Sequence, residues 1–235
     1  MISEMFAHGF IQRAFIGGVL VSLCAALLGV SLVLKRYSMI GDGLSHVSFG
    51  ALSIAIALGF APIKFSIPIV IIAAFFLLRL AENGKMKSDA AIAMVSASSL
   101  AIGVIVTSLT TGLSTDVCSY MFGSILAMSK DDVIFSVVLS VVVLIMFGFC
   151  YHRIFAVTFD ESFSKATGVK VGMYNTLISI FTAVTVVLGI KMMGAMLISS
   201  LIIFPALTSM RVFKSFLSVT ICSAILAVIN FTAGL

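Results

Sequence analysis

Apolar stretches of about twenty residues recur along this chain, each closed by a short charged interruption, and that pattern leaves few folds open. A hydrocarbon core about 30 Å thick takes roughly 20 helical residues to cross. A transmembrane barrel would instead show alternating segments of about ten residues. Hydrophobic residues make up 61% of the 235 and charged residues only 10%. A soluble domain of this length could not bury so much apolar surface, so the bilayer must take up the excess. Runs bounded by charges predict spans near 14–34, 43–60, 63–80, 89–111, 132–151, 173–190 and 192–210, with another at 215–234. The stretch 116–129 is apolar but too short to cross, and reads as a short or re-entrant helix. The expected fold is all-α: one polytopic transmembrane domain over 1–235, with about eight spans plus the re-entrant helix.

Basic residues set the expected sidedness, because cytoplasmic loops carry an excess of Lys and Arg. With the loop holding Lys35 and Arg36 inside and 116–129 not crossing, ten basic residues fall on the cytoplasmic side. Four, Arg13, Lys64, Lys130 and Lys191, fall outside, and so does the N-terminus. If 116–129 crossed, the loop 152–172 would move outside and the bias would shrink. No basic stripe exists, which argues against a nucleic-acid partner. Met1 to Phe10 lacks a basic n-region and carries Glu4 and His8, so no cleavable signal peptide is expected. Cys24, Cys118, Cys150 and Cys222 are scattered without a CxxC pair and read as small apolar residues.

Against this background one pair of ionisable residues stands out. Asp42 and His46 lie in Gly41-Asp42-Gly43-Leu44-Ser45-His46, inside lipid-soluble sequence. An ionisable group in a span costs roughly 2.5 to 3.5 kcal/mol on insertion scales, which makes it a functional hypothesis by default. Four residues apart on a helix, the two side chains share a face. Carboxylate oxygen and imidazole nitrogen both bind divalent first-row metals. The competing reading is a hydrogen-bonded pair that fixes helix packing. No closed four-ligand cage is evident; two ligands plus water suit an ion that must leave again. Met192, Met193 and Met196 could add soft contacts, though the methionines mostly read as packing or lipid-facing. Asp116 would attract cations at the outer mouth, and His8 reads as solvated.

Small residues mark close helix contacts. Gly18, Ser22 and Ala26 recur every fourth position in the first span, and Gly43 and Gly50 flank the second. Pro205 falls inside 192–210 and should kink it, because proline removes one intrahelical bond.

The longest polar segment is His152 to Gly172. Asp160 and Glu161 suit a helix N-terminus, where acids are favoured, and Gly168 suits a left-handed C-cap. Between them a short helix carrying Phe163 and Ala166 is expected at the membrane surface. A compact, capped helix between two spans suits docking into a groove on a partner; a plain connecting loop is the simpler alternative.

These segments together resemble the membrane permease of zinc/manganese/iron-type ATP-binding-cassette importers, over about Phe10 to Phe231. The similarity is carried by Phe10-Ile11-Gln12-Arg13-Ala14 with Leu32-Val33-Leu34-Lys35-Arg36, and above all by SMIGDGLSHVSFGAL at 38–52. It continues through Lys87-Ser88-Asp89-Ala90-Ala91-Ile92, Tyr120-Met121-Phe122-Gly123-Ser124-Ile125-Leu126 and FDESFSKATGV at 159–169. Gly194-Ala195-Met196-Leu197 and Phe204-Pro205-Ala206 complete the set, in the family's order and spacing.

The resemblance implies a permease of the type II importer architecture. It implies a homodimer, a cytoplasmic ATP-binding subunit on each copy, and an extracytoplasmic metal-binding protein that delivers the cargo. It places Asp42 and His46 along the metal path, and gives Phe159, Asp160, Glu161, Phe163, Ala166 and Gly168 the task of coupling to the ATPase. The divalent metal would be cargo, with no permanently bound cofactor. Family members usually continue past the position of Leu235 with another apolar span, so a contact from such a span is in question here. No G-x-x-x-x-G-K-[ST] is present, so ATP hydrolysis is expected on a separate subunit. Two other readings stay open at this stage. One is a permease for iron or a small metal chelate. The other is an intramembrane enzyme with Asp42 and His46 as acid and base.

Overall fold

In the computed structural model, residues 9–37, 39–82, 88–110, 123 and 130–234 are described. The long helices among them are α1 (Gly9–Leu34), α2 (Ile40–Ala57), α3 (Pro62–Glu82), α4 (Ser88–Leu109) and α5 (Lys130–Phe159). After the short α6 (Glu161–Ala166) come α7 (Val171–Met193), α8 (Ala195–Val212) and α9 (Phe216–Ala233). Each of the eight expected spans falls on one of the eight long helices; seven are long and apolar enough to cross a membrane, while the apolar stretch of α3, Lys64–Leu77, is shorter. The candidate re-entrant stretch 116–129 lies outside the described residues apart from Gly123.

The helices meet where the sequence offers least side chain. A Cβ on Gly18 would collide with the Phe231 ring of α9, and the Ser223 hydroxyl donates to the Ala26 carbonyl at 3.4 Å. The Gly18-Ser22-Ala26 stripe is therefore the α1–α9 seam. On the neighbouring face, Gly29 lies directly against the backbone of Ile202 in α8. Gly43 faces Ile92, and Gly50 faces the Ser99 carbonyl, so α2 and α4 run parallel in close contact. Glycine permits these approaches because it has no side chain: Gly29 and Gly50 meet backbone, while Gly18 and Gly43 receive the side chains of Phe231 and Ile92.

These contacts also order the helices across the membrane. Val133 of α5 and Met192 of α7 lie beside Gly17, far from the Lys35 end of α1, while Glu161 and Asn175 meet Lys35 itself. Thus α1 and α5 run one way and α2, α4 and α7 the other. Leu109 and Lys130 consequently sit on the same side of the molecule. Of the spans, α7 is the most enclosed, with 78% of its apolar window buried, against 17% for α4. The first is a central post and the second is largely covered by whatever surrounds the subunit.

One boundary differs from expectation. The segment after residue 151 does not open into a loop: α5 continues to Phe159. Ile154 and Val157 are fully buried, the rings of Phe147 and Tyr151 and those of Phe155 and Phe159 pair at four-residue spacing, and Phe216 of α9 meets both Tyr151 and Phe155. These buried and aromatic residues hold two more helical turns together although His152 and Arg153 are exposed. Pro205 is buried within α8, which remains helical on both sides of it.

Candidate transport path and coupling helix

Helix α2 begins at Ile40, so Asp42 falls in its first turn, where the helix dipole favours a negative charge. His46 lies one turn further in. Nε2 of His46 is 3.7 Å from Oδ2 of Asp42, and the side chains are 26% and 42% exposed. At that separation the pair is not a closed hydrogen bond. The Ser45 hydroxyl is turned back onto the Asp42 carbonyl at 2.7 Å. Asp42, Ser45 and His46 line a cavity of about 110 Å³ whose other walls are Phe49, Leu100, Ala195 and Met196.

The far wall of that cavity is the α7–α8 junction. Gly194 adopts φ 85° and ψ 163°, a conformation open essentially to glycine alone. It breaks the helix, so that α8 restarts at Ala195 facing α2. Of the three methionines noted in the sequence, Met192 and Met193 are buried in the core while Met196 reaches the cavity. The sequence offered all three methionines as soft contacts without distinguishing them; the Gly194 break is what brings Met196 alone to the cavity of Asp42 and His46. Among the described residues, no three His, Cys, Asp or Glu side chains converge. Asp116 and His8 lie outside the described residues.

At the other end of the molecule, α6 is built as the sequence suggested. Asp160 caps it, its carboxylate accepting from the Phe163 amide at 2.9 Å. Gly168, at φ 80°, closes it: its amide donates to the Lys165 carbonyl, and the Val169 amide to the Ser164 carbonyl. This is a Schellman turn. Phe159 and Phe163 are 64% and 65% exposed, and Ala166 is exposed beside them, so the helix presents an apolar face outward.

Glu161 does more than favour the helix N-terminus. Its Oε1 accepts from Nζ of Lys35 at 2.8 Å and from the Asn175 amide at 3.1 Å, and Lys35 also donates to Oδ1 of Asn175. Burial pushes the Glu161 carboxyl up, but the hydrogen bonds from Lys35 and Asn175 and the charges of Lys35 and Lys165 outweigh it and hold the carboxyl below its ordinary value. Neither Lys35 nor Asn175 was singled out from sequence. The available signal was an Asn near the start of the membrane-spanning α7.

Parallel and antiparallel spans around a buried post, a small cavity lined by Asp42 and His46, and an outward-facing capped helix at one end are the parts of a polytopic helical membrane protein. The chain belongs to the ABC 3 transport family, which it matches over residues 7–235. It is 31% identical over 232 residues to a probable metal transport system membrane protein of Treponema pallidum, covering 98% of this chain and 86% of that one. It is 30% identical to the high-affinity zinc uptake system membrane protein ZnuB of Buchnera aphidicola, covering 94% and 85%. The solved structure of PsaBC from Streptococcus pneumoniae in complex with Fab superposes with a TM-score of 0.83 at 27% identity, covering 97% of this chain and 83% of that one. The chain is therefore a transport subunit of the bacterial cytoplasmic membrane rather than an enzyme. Its family works with a separate ATPase subunit and a substrate-binding protein. The reading of Asp42 and His46 as an acid–base pair of an intramembrane enzyme is set aside.

Proposed function

We propose that this chain is the membrane permease of an ATP-driven importer of a divalent metal ion, zinc or manganese, and that the ion passes Asp42 and His46. The observation that carries the reading is the pair itself: a carboxylate and an imidazole 3.7 Å apart, open to a cavity rather than to each other. The cavity of about 110 Å³ suits an ion with a few waters, each taking about 30 Å³. Two protein ligands hold such an ion loosely enough for release. Selectivity between zinc, manganese and ferrous iron rests on geometry and on the delivering protein, since all three accept oxygen and nitrogen donors.

In this reading the outward face of α6, from Phe159 through Asp160, Phe163 and Ala166 to Gly168, docks into the ATPase. Two copies of the chain pair around a shared path, and the sparsely buried α4 leaves apolar surface for a second copy as well as for lipid. The test is ATP-dependent uptake of zinc and of manganese into proteoliposomes holding this chain, its ATPase and its binding protein. His46→Ala should abolish uptake while the assembled complex still purifies. Normal uptake by His46→Ala would remove the site, and uptake of neither metal by the wild type would overturn the cargo assignment.

A further inference from the structure

The buried end of Lys35 has no part in docking or in the ion path, yet it is one of the least accessible charges in the described structure. Its side chain is 6% exposed, and a cation taken out of water is tolerated only when paired and hydrogen-bonded. Here the pairing is made across three remote pieces of sequence: Lys35 at the inner end of α1, Glu161 in the first turn of α6, and Asn175 near the start of α7.

The backbone around Lys35 is shaped to hold it there. Arg36 adopts φ 61°, a left-handed conformation that a non-glycine residue takes at a cost. That turn lets the Arg36 and Tyr37 amides close on the Val33 and Leu32 carbonyls, with Lys35 as the C-cap of α1. Glycine would fit the position more easily.

The packing of α6 gives the cluster its importance. Six residues do not make a stable helix alone. Its helix contacts are with α5 and α7, the elements it joins. Where α5 ends, a cavity of about 290 Å³ bordered by Leu34, Phe159, Phe213 and Lys214 lies between Phe159 and the α8–α9 turn. A force on α6 can reach α1 through Lys35 and the start of α7 through Asn175. Helix α7 then runs as the buried post to Gly194, beside the Asp42–His46 cavity.

We infer that Lys35, Glu161 and Asn175 form a clamp that ties the coupling helix to α1 and α7, so that ATPase movement drives the spans instead of being absorbed in the 160–170 connection. These are positioning residues; they touch neither cargo nor nucleotide. The inference rests on the importer reading above. Breaking a pair of this kind leaves an unpaired, poorly hydrated charge, so the clamp resists opening during the cycle.

The experiment measures metal uptake and ATP hydrolysis together, in proteoliposomes holding the full complex, with zinc and manganese as cargo. Variants are Lys35→Met, Glu161→Gln and the exchange Lys35→Glu with Glu161→Lys. The expected result for Lys35→Met is a fall of about tenfold or more in metal moved per ATP, with hydrolysis largely retained and the ATPase still bound. Glu161→Gln, which keeps the shape and loses the charge, should fall less, and the exchange should recover much of the ratio. Should Lys35→Met fail to assemble, Glu161→Gln and the exchange carry the test. Uptake and hydrolysis falling in proportion, an unchanged ratio, or no recovery by the exchange would each overturn the clamp. Wild-type complex that hydrolyses ATP without moving either metal would instead overturn the importer reading, so the two failures are distinguishable.

Discussion

Two polar constellations interrupt this apolar chain, and they are built in opposite ways. Asp42 and His46 stand 3.7 Å apart, each partly exposed to a cavity, on one helix. Lys35 and Glu161 close to 2.8 Å with Asn175 across both, and join three elements. A group that must accept and release an ion needs unfilled coordination and a weak hold. A group that must carry force needs its donors and acceptors satisfied, because an unsatisfied buried charge costs several kcal/mol and so resists separation. The open pair reads as passage and the closed cluster as linkage.

Stability should separate the two first. Replacing Asp42 by Asn and His46 by Gln should lower metal uptake on the order of a hundredfold. It should leave the melting temperature of the detergent-solubilised protein unchanged, since the two side chains do not complete each other. A drop of several degrees would make them a packing pair after all. Lys35→Met should do the reverse, melting earlier while leaving the cavity intact. The expected loss is about 1–2 kcal/mol, below the 3–5 of a fully buried pair because Glu161 is 41% exposed and partly screened. No loss at all would show the cluster to be weakly held.

A smaller effect bears on the docking helix alone. Asp160→Ala removes the acceptor of the Phe163 amide and should cost about 1 kcal/mol locally. Hydrogen exchange at the Phe163 amide should then quicken about fivefold, while amides in α7 stay protected. Loss of protection throughout α7 would mean that α6 and the post open as one unit, which strengthens the linkage reading. Unchanged exchange at Phe163 would mean that the Schellman turn at Gly168 holds the helix without its cap.

The spans were legible because composition alone dictates them: a run of twenty apolar residues has one stable form in a bilayer. Asp42 and His46 were legible for the same reason, as charges where charge is costly. The α1–α9 seam could be read from Gly18, Ser22 and Ala26. What escaped was whatever depends on distant elements meeting. His152 and Arg153 look like the start of a loop until Ile154 and Val157 are seen buried within a continuing helix. Met196 became a cavity residue only through the backbone of Gly194. Lys35 had a sufficient explanation as a cytoplasmic charge, Glu161 as a helix-terminal acid, and Asn175 as nothing in particular. Sequence spacing could not unite them, since 126 positions separate Lys35 from Glu161.

The smallest expected effect is on pH dependence, and it follows from the sign of one shift. Glu161 is held below its ordinary 4.5: burial raises it, but Lys35, Asn175 and Lys165 together lower it further. A carboxyl depressed in the folded state contributes stability that is fully present above its unfolded value and is lost as pH falls through the folded one. The clamp should therefore be indifferent to pH from neutrality down to 4.5, and weaken only below it. Metal moved per ATP, measured against pH, should show no limb from this group in the physiological range. Glu161→Gln carries no titrating carboxyl, so the melting temperature of the wild type should converge on that of the variant as the pH is taken below 4.5. Convergence already near neutral pH would mean that Glu161 is not held by Lys35 in the working protein, and the contrast between an open pair and a closed one would fail at its closed end.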